Sequence, residues 1–409
     1  MNEVFLIIII SIYLAVKLAL DMMQIYTIKH SEIDNQSSDL LGIDIHEETK
    51  SRDYNIAKLK LSIIKNLIYV SWLYLLLFGG VINELNIVLQ SFFESEYIIN
   101  LCVILITYLV MFVSILPVSY YSTFSVEANY GFNTSTHKLF LRDNIISVLM
   151  TIVLIMFISS IFFFIIRFEN LWWLLMASTI FGIIILSIFI YPNYISPLFN
   201  KFKNLENEEI KNEVKDLSDK TKFDISNLYV MDKSKRSKHP NAYFTGFKNN
   251  RRIVFYDTLI DLLSPSEIKA VLAHEIGHYK HNHVIKSLVL STFVIFVGMY
   301  FLSYLINSNH YIMLLNLPLT ESSQLLALVF TYQILSFFID PLFSMLSRKN
   351  EYDADNYASE QVDSEYLVTS LIKLYKSNLS FLIPNKFYAM FYFSHPTVLE
   401  RINNLRGNK

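Results

Sequence analysis

Seven stretches of this chain are long and mainly apolar, at roughly 4–23, 64–82, 97–118, 145–166, 171–191, 284–306 and 323–345. A bilayer core takes about 20 mainly apolar residues as a helix, and each stretch is close to that length. One such stretch alone reads equally well as a buried helix of a soluble core. The set does not, because segments such as Ile145–Arg167 offer no polar face. The first run, Val4–Met23, lacks a basic leader and a small-x-small cleavage site and carries Lys17 and Asp21 near its end. It reads as a retained span, not a secretory signal.

The polar connections alternate in charge. Those near 83–96 and 307–321 contain no Lys or Arg, whereas 24–63, 119–144, 193–283 and the tail after 346 hold nearly all the basic residues. Under the positive-inside rule the N-terminus lies outside and the C-terminus in the cytosol. The long connection 193–283 and the tail then share the cytosolic side. Region 31–53 reads as a polar loop near that face. The pattern in 193–283 predicts a small mixed domain: an amphipathic helix over Leu205–Thr221, strands over Asn227–Met231 and Arg251–Tyr256, and a turn at Lys248-Asn249-Asn250. Ser264, Pro265 and Glu267 form a capping box with proline at the first helical position. They start a helix that is expected to run through the following histidines toward the sixth span.

Composition supports a membrane protein. Of 409 residues 53% are hydrophobic and only 17% charged, against about 25% charged in soluble domains, and the mean hydropathy is +0.38. A net charge of -2 argues against a nucleic-acid partner. The single cysteine, Cys102, excludes an internal disulfide framework or a Cys-rich metal site.

The capped helix contains His274-Glu275-Ile276-Gly277-His278, the H-E-x-x-H pattern. Two histidines four apart on a helix share a face and can converge on one ion, normally zinc. Glu275 is turned about 100° from His274, beside the open coordination position, where it can take a proton from the activated water. Hydrolytic zinc usually has three protein ligands. Glu351 and Asp355, just after the seventh span, are four apart and share a helical face. One can ligate while the other accepts from a ligand's free ring N–H; equally, both can belong to a solvated helix end balanced by Arg348 and Lys349. His281 and His283 could compete as ligands but read as polar residues where the helix meets the membrane. Arg401 reads either as an anchor for the tail or as part of a solvated helix face.

Ordered motifs narrow the choice. They are Lys50-Ser51-Arg52-Asp53-Tyr54, Tyr121-Ser122-Thr123-Phe124, Gly131-Phe132-Asn133, Pro197-Leu198-Phe199-Asn200, His239-Pro240-Asn241-Ala242-Tyr243-Phe244, Arg252-Ile253-Val254, the zinc motif, Asn350–Asp355 and Ser394-His395-Pro396. With this series the chain resembles the CAAX prenyl protease 1 family of integral-membrane zinc proteases along almost its whole length. The resemblance implies a mainly α, polytopic membrane protein: seven helices around an intramembrane chamber, with a small α+β zincin-like domain on the cytosolic side. It divides the chain into a membrane region, 1–192, and a metallopeptidase region, 193–409. It implies one zinc per chain, held by His274, His278 and Glu351, with Glu275 and Asp355 in catalysis. Asn241, on a strand edge able to pair with an extended peptide, and His395, an oxyanion donor of the kind worth about 3 kcal/mol, would meet the substrate. The implied substrates are prenylated proteins ending in Cys-aliphatic-aliphatic-X, cut before the last three residues; a monomer is one reading of the working unit, and the oligomeric state stays open. The short 307–322 connection matches compact members, so the clients differ with the host: an endoplasmic-reticulum membrane if eukaryotic, the inner membrane if bacterial. The rival readings are a heat-shock-type membrane metalloprotease, disfavoured by the seven spans; a zinc-bearing transporter, disfavoured by the few ionisable residues within the spans; and a catalytically silent zinc scaffold, disfavoured by the intact Glu275.

Overall fold

The computed structural model describes residues 3–31, 35–223, 228–245 and 252–407. The expected turn at Lys248-Asn249-Asn250, along with Asn227 and Arg251 at strand ends, lies outside the described residues. The helices of the first half are α1 (Glu3–His30), α2 (Asn35–Leu41), α3 (Ile45–Leu77), α4 (Val81–Gln90), α5 (Glu96–Tyr121), α6 (His137–Ile165), α7 (Trp172–Ile190) and α8 (Ser196–Phe199). A small lobe follows with β1 (Phe202–Asn204), α9 (Glu208–Thr221), β2 (Leu228–Met231), β3 (Ala242–Thr245), β4 (Arg252–Tyr256), α10 (Asp257–Leu262) and α11 (Pro265–Lys280). The chain then runs through α12 (His283–Ile306), α13 (Asn309–Leu314), α14 (Glu321–Gln361), α15 (Ser364–Ser377), α16 (Lys386–Tyr392) and α17 (Val398–Gly407). Among the described residues seven helices are long and apolar enough to cross a membrane, one for each apolar stretch, with α3 ending at Leu77, short of position 82.

Two large buried clusters, and a small third one of Tyr54, Leu61, Val126 and Phe132, hold these elements. One joins the spanning helices, with Tyr13, Leu73, Phe162, Trp172 and Ile312 at its centre. The other fills the lobe around Leu217, Phe255, Ile268, Leu272 and Ile402. The sheet order is β1-β2-β4-β3. β2 and β4 run parallel while β1 and β3 pair antiparallel, so β3 is an edge strand. α11 packs on α9, α14 and α15, which puts the 193–283 connection and the tail at the same end of the spanning helices.

Two expectations need correction. Within region 31–53, residues 35–41 and 45–53 are not loop: they form α2 and the start of α3. Asp44 caps α3 and Glu47 closes the capping box, and Leu41 is buried in the lobe core. Its polarity marks a helix extending into water. Nor does the histidine helix run on into the sixth span. It stops at Lys280, and Asn282 turns the chain with φ 55°, a left-handed conformation that asparagine tolerates. α14, by contrast, is longer than its apolar stretch: it continues through Pro341 for 41 residues in all, reaching about 24 Å past position 345.

The cap of α11 forms in both directions, with Ser264 Oγ accepting from Glu267 N and Glu267 Oε2 accepting from Ser264 N. Glu267 also pairs with Lys373 of α15 at 2.7 Å. Burial pushes its carboxyl up, but Lys373, Ser264 and Thr369 outweigh burial and hold it below the usual carboxylate range. The charged form therefore contributes stability above that range, and the contribution is lost as pH falls through the lowered value. Ser264→Ala should lower stability by about 1 kcal/mol, read as a reduced thermal midpoint in detergent; an unchanged midpoint would show that packing alone holds this helix.

Candidate metal centre

Helices α11 and α14 cross where neither has bulk. A Cβ on Gly277 would lie 3.0 Å from Ala354 Cα and 3.0 Å from its carbonyl oxygen, and Ala354 and Ala358 are fully buried. This close approach faces the histidines of α11 with residue 351, three before the contact residue Ala354, and residue 355, the next one after it.

Three donor atoms converge there. His274 Nε2 and His278 Nε2 lie 3.1 Å apart. Glu351 Oε2 is 3.4 Å from His274 Nε2, and its Oε1 is 3.3 Å from His278 Nε2. Two nitrogens and an oxygen bound tetrahedrally at about 2.0–2.1 Å would stand about 3.3 Å from each other, so the triangle has the size of one face of such a site. Glu351 is buried, and Oε2 has no hydrogen-bond partner among the described residues, an orphan that a cation would satisfy. Burial and Arg401 both push the His274 imidazole down, yet Asp355 and Glu351 outweigh them and bring its pKa to about 9. The pocket favours positive charge. These residues fit a metal ion.

The supports on the two histidines differ. His274 Nδ1 lies 2.8 Å from Asp355 Oδ1, and Asp355 is fully buried. Arg401 of α17 grips the same carboxylate with Nη2 to Oδ1 at 2.6 Å and Nε to Oδ2 at 2.8 Å. Of the two readings of Arg401, the anchor is the one the geometry supports. Both Asp355 oxygens are thus engaged, Oδ1 by His274 and Arg401 and Oδ2 by Arg401.

A cavity of about 410 Å³ opens beside the triangle, lined by Glu275, Asn241, His274, Glu351, His395 and Arg401 among others. His395 Nε2 stands 3.3 Å from Glu351 Oε1, and its Nδ1 is 2.8 Å from Ser394 Oγ. Asn241 opens the edge strand β3, and its Oδ1 accepts from Ala242 N at 2.8 Å. All seven residues expected at the site thus gather around one point, six of them on the cavity wall or the triangle and Asp355 behind it. A larger cavity of about 890 Å³ adjoins, sharing His239, Asn378, His395 and Arg401 and reaching Gln24, Ser62 and Tyr392 beside the spanning helices.

His239 had no assigned role in the sequence reading. It binds Asn378 Oδ1 through Nδ1 at 2.6 Å, approaches Glu127 Oε2 at 3.3 Å, and stacks on Phe132 at 4.1 Å. Tyr54 donates to Glu127 Oε1 at 2.9 Å. This clasp joins the segment leading to Asn241 to α3 and to the π-turn Ser122–Glu127 after α5. It gives the Tyr54 and Gly131-Phe132 motifs a physical purpose. Only their order in the sequence, not their spacing, hinted at it. His283, the first residue of α12, is buried, and its Nδ1 lies 3.0 Å from His278 Nδ1.

Comparison with known proteins agrees with this arrangement. Residues 204–409 match the model of peptidase family M48, and residues 27–201 match that of the CAAX prenyl protease N-terminal region of five membrane helices. The CAAX prenyl protease 1 of Saccharomyces cerevisiae is 33% identical over 402 residues, covering 90% of this chain and 87% of that protein. A homolog from Dictyostelium discoideum is 37% identical over 302 residues, covering 71% of this chain and 69% of its own length. The crystal structure of S. mikatae Ste24p superposes with a TM-score of 0.88 at 30% identity, over 97% of this chain and 98% of that one.

Proposed function

Because this chain belongs to peptidase family M48, as a membrane metalloendopeptidase of the CAAX prenyl protease 1 type, we propose that it holds one zinc ion on His274, His278 and Glu351 and removes the last three residues of prenylated Cys-aliphatic-aliphatic-X proteins. The donor triangle with edges of 3.1–3.4 Å carries the reading. A bound zinc supplies a Lewis acid that polarises the scissile carbonyl and makes water acidic. Glu275, on the cavity wall, takes the proton of the attacking water and returns it to the leaving amine. His395 turns Nε2 into the cavity mouth, with Nδ1 kept by Ser394, and donates to the developing oxyanion. Asn241 and the free edge of β3 bind the extended substrate backbone. Asp355 and Arg401 hold His274 in place. The alternation of basic and non-basic loops supports a site on the cytosolic side, and the adjoining cavity of about 890 Å³ gives room for a lipid-modified cysteine.

The test is cleavage of farnesylated and unmodified CAAX peptides by purified protein, with and without a chelator. The farnesylated peptide should be cut faster, the chelator should abolish cutting and added zinc should restore it. Equal rates on both peptides would favour a general membrane peptidase; cutting that survives chelation would remove the metal mechanism.

A further inference from the structure

The supports of the two zinc-binding histidines are chemically unequal. His274 leans on a carboxylate, as metal-bound histidines commonly do. His278 leans on a second imidazole. We infer that His283 is a positioning residue for the metal centre, its Nδ1 accepting a hydrogen bond from the Nδ1–H of His278. The inference rests on the proposed zinc site.

Proton placement follows from the donor geometry. His278 turns Nε2 toward His274 and Glu351, at 3.1 and 3.3 Å, so the Nε2 lone pair faces the ion and the ring proton sits on Nδ1. The atom 3.0 Å from that nitrogen is His283 Nδ1, which must then be the acceptor. His283 consequently carries its own proton on Nε2. That nitrogen is buried without a hydrogen-bond partner among the described residues, and the nearest charge to it is Asp353 Oδ2 at 3.8 Å. A negative charge there favours the Nε2–H tautomer that the acceptor role requires. The ring cannot easily tip away: His281 stacks on it at 5.5 Å and 15° between planes.

The backbone break after α11 makes this contact possible. Five residues along an unbroken helix would rotate His283 about 140° away from His278. The left-handed Asn282, at φ 55°, ends one helix and starts the next so that His283 folds back beneath the second ligand. The five-residue spacing from His278 to His283 is therefore a signal only in combination with the break.

The experiment compares zinc affinity, by chelator competition, in the full-length purified protein and three variants. His283→Leu removes the acceptor while nearly preserving volume. His283→Asn restores an oxygen where Nδ1 stood. His283→Gln carries its amide out to where Nε2 stood. Leu and Gln should weaken zinc binding about 10- to 100-fold, while Asn should stay within a few-fold of the unaltered protein. A residue that only fills space or adds polarity would treat Asn and Gln alike, so equal affinities for that pair would overturn the inference. So would His283→Leu binding zinc as tightly as the unaltered protein. If His283→Leu does not fold, the Asn and Gln pair decides. Failure of the unaltered protein to bind zinc at all would instead bring down the underlying site, and this proposal with it.

Discussion

Glu275→Gln should bind zinc as the unaltered protein does and lose peptide cleavage by about 100- to 10,000-fold, the range that a positioned general base contributes. The substitution preserves shape and the ability to hydrogen bond, and removes only the basic oxygen. Glu275 is half-buried on α11 and borders the cavity beside His274 and Glu351, while the three donor atoms of the triangle come from other side chains. Metal content should therefore be untouched. Zinc stoichiometry together with single-turnover cleavage of a farnesylated peptide separates the two effects. A variant with cleavage within tenfold of normal would mean that another group takes the proton; one lacking zinc would mean that Glu275 belongs to the coordination sphere.

Arg401→Leu should be the most damaging single change outside the triangle. Its guanidinium makes a bidentate pair with Asp355, whose side chain is fully buried, and it also stands 3.6 Å from Glu351 Oε2. Removing one partner of a buried pair leaves an uncompensated charge and costs about 3–5 kcal/mol. The loss should appear as a clear fall in the apparent melting temperature in detergent. Zinc affinity should fall as well, because Asp355 is then free to turn from His274 Nδ1. Arg401→Lys should recover only part of either quantity, since an ammonium cannot reproduce the planar fork. A melting temperature close to normal for Arg401→Leu would show that water reaches Asp355 and that the pair is dispensable.

The pattern of residues made some parts of this molecule readable and left others closed. The seven spans were legible because lipid imposes the same requirement on every residue of a helix, and the apolar runs record it directly. The start of α11 was legible because a capping box is a local device, written within four residues. His274, Glu275 and His278 were legible for the same reason: one helical turn joins them. Glu351 was different. Spacing alone left it between a ligand and a solvated helix end, and the resemblance in motif order chose the ligand.

What local pattern could not give was contact between distant segments. Arg401 looked equally like a solvated helix residue, because the carboxylate it grips is 46 positions away. His239 is fixed by residues from three other elements, Glu127, Phe132 and Asn378, and no period within its own segment marks them. The contact of His283 with His278 was not legible because it depends on the break in the backbone at Asn282. Residues 35–41 and 45–53 were misread as loop because their low hydropathy was taken for irregularity, although Asp44 and Glu47 carry a cap.

By itself, then, the order of amino acids determined the membrane spans, the capped helix and the imidazole pair on it, since each depends on forces acting within a few turns of chain. Tertiary structure decided the third corner of the donor triangle and which side chains stand against each imidazole. The physical reason is the close approach of Gly277 to Ala354: two helices can bring Glu351 to His274 only where both lack side-chain bulk, and which surfaces meet is settled by the packing of the whole chain.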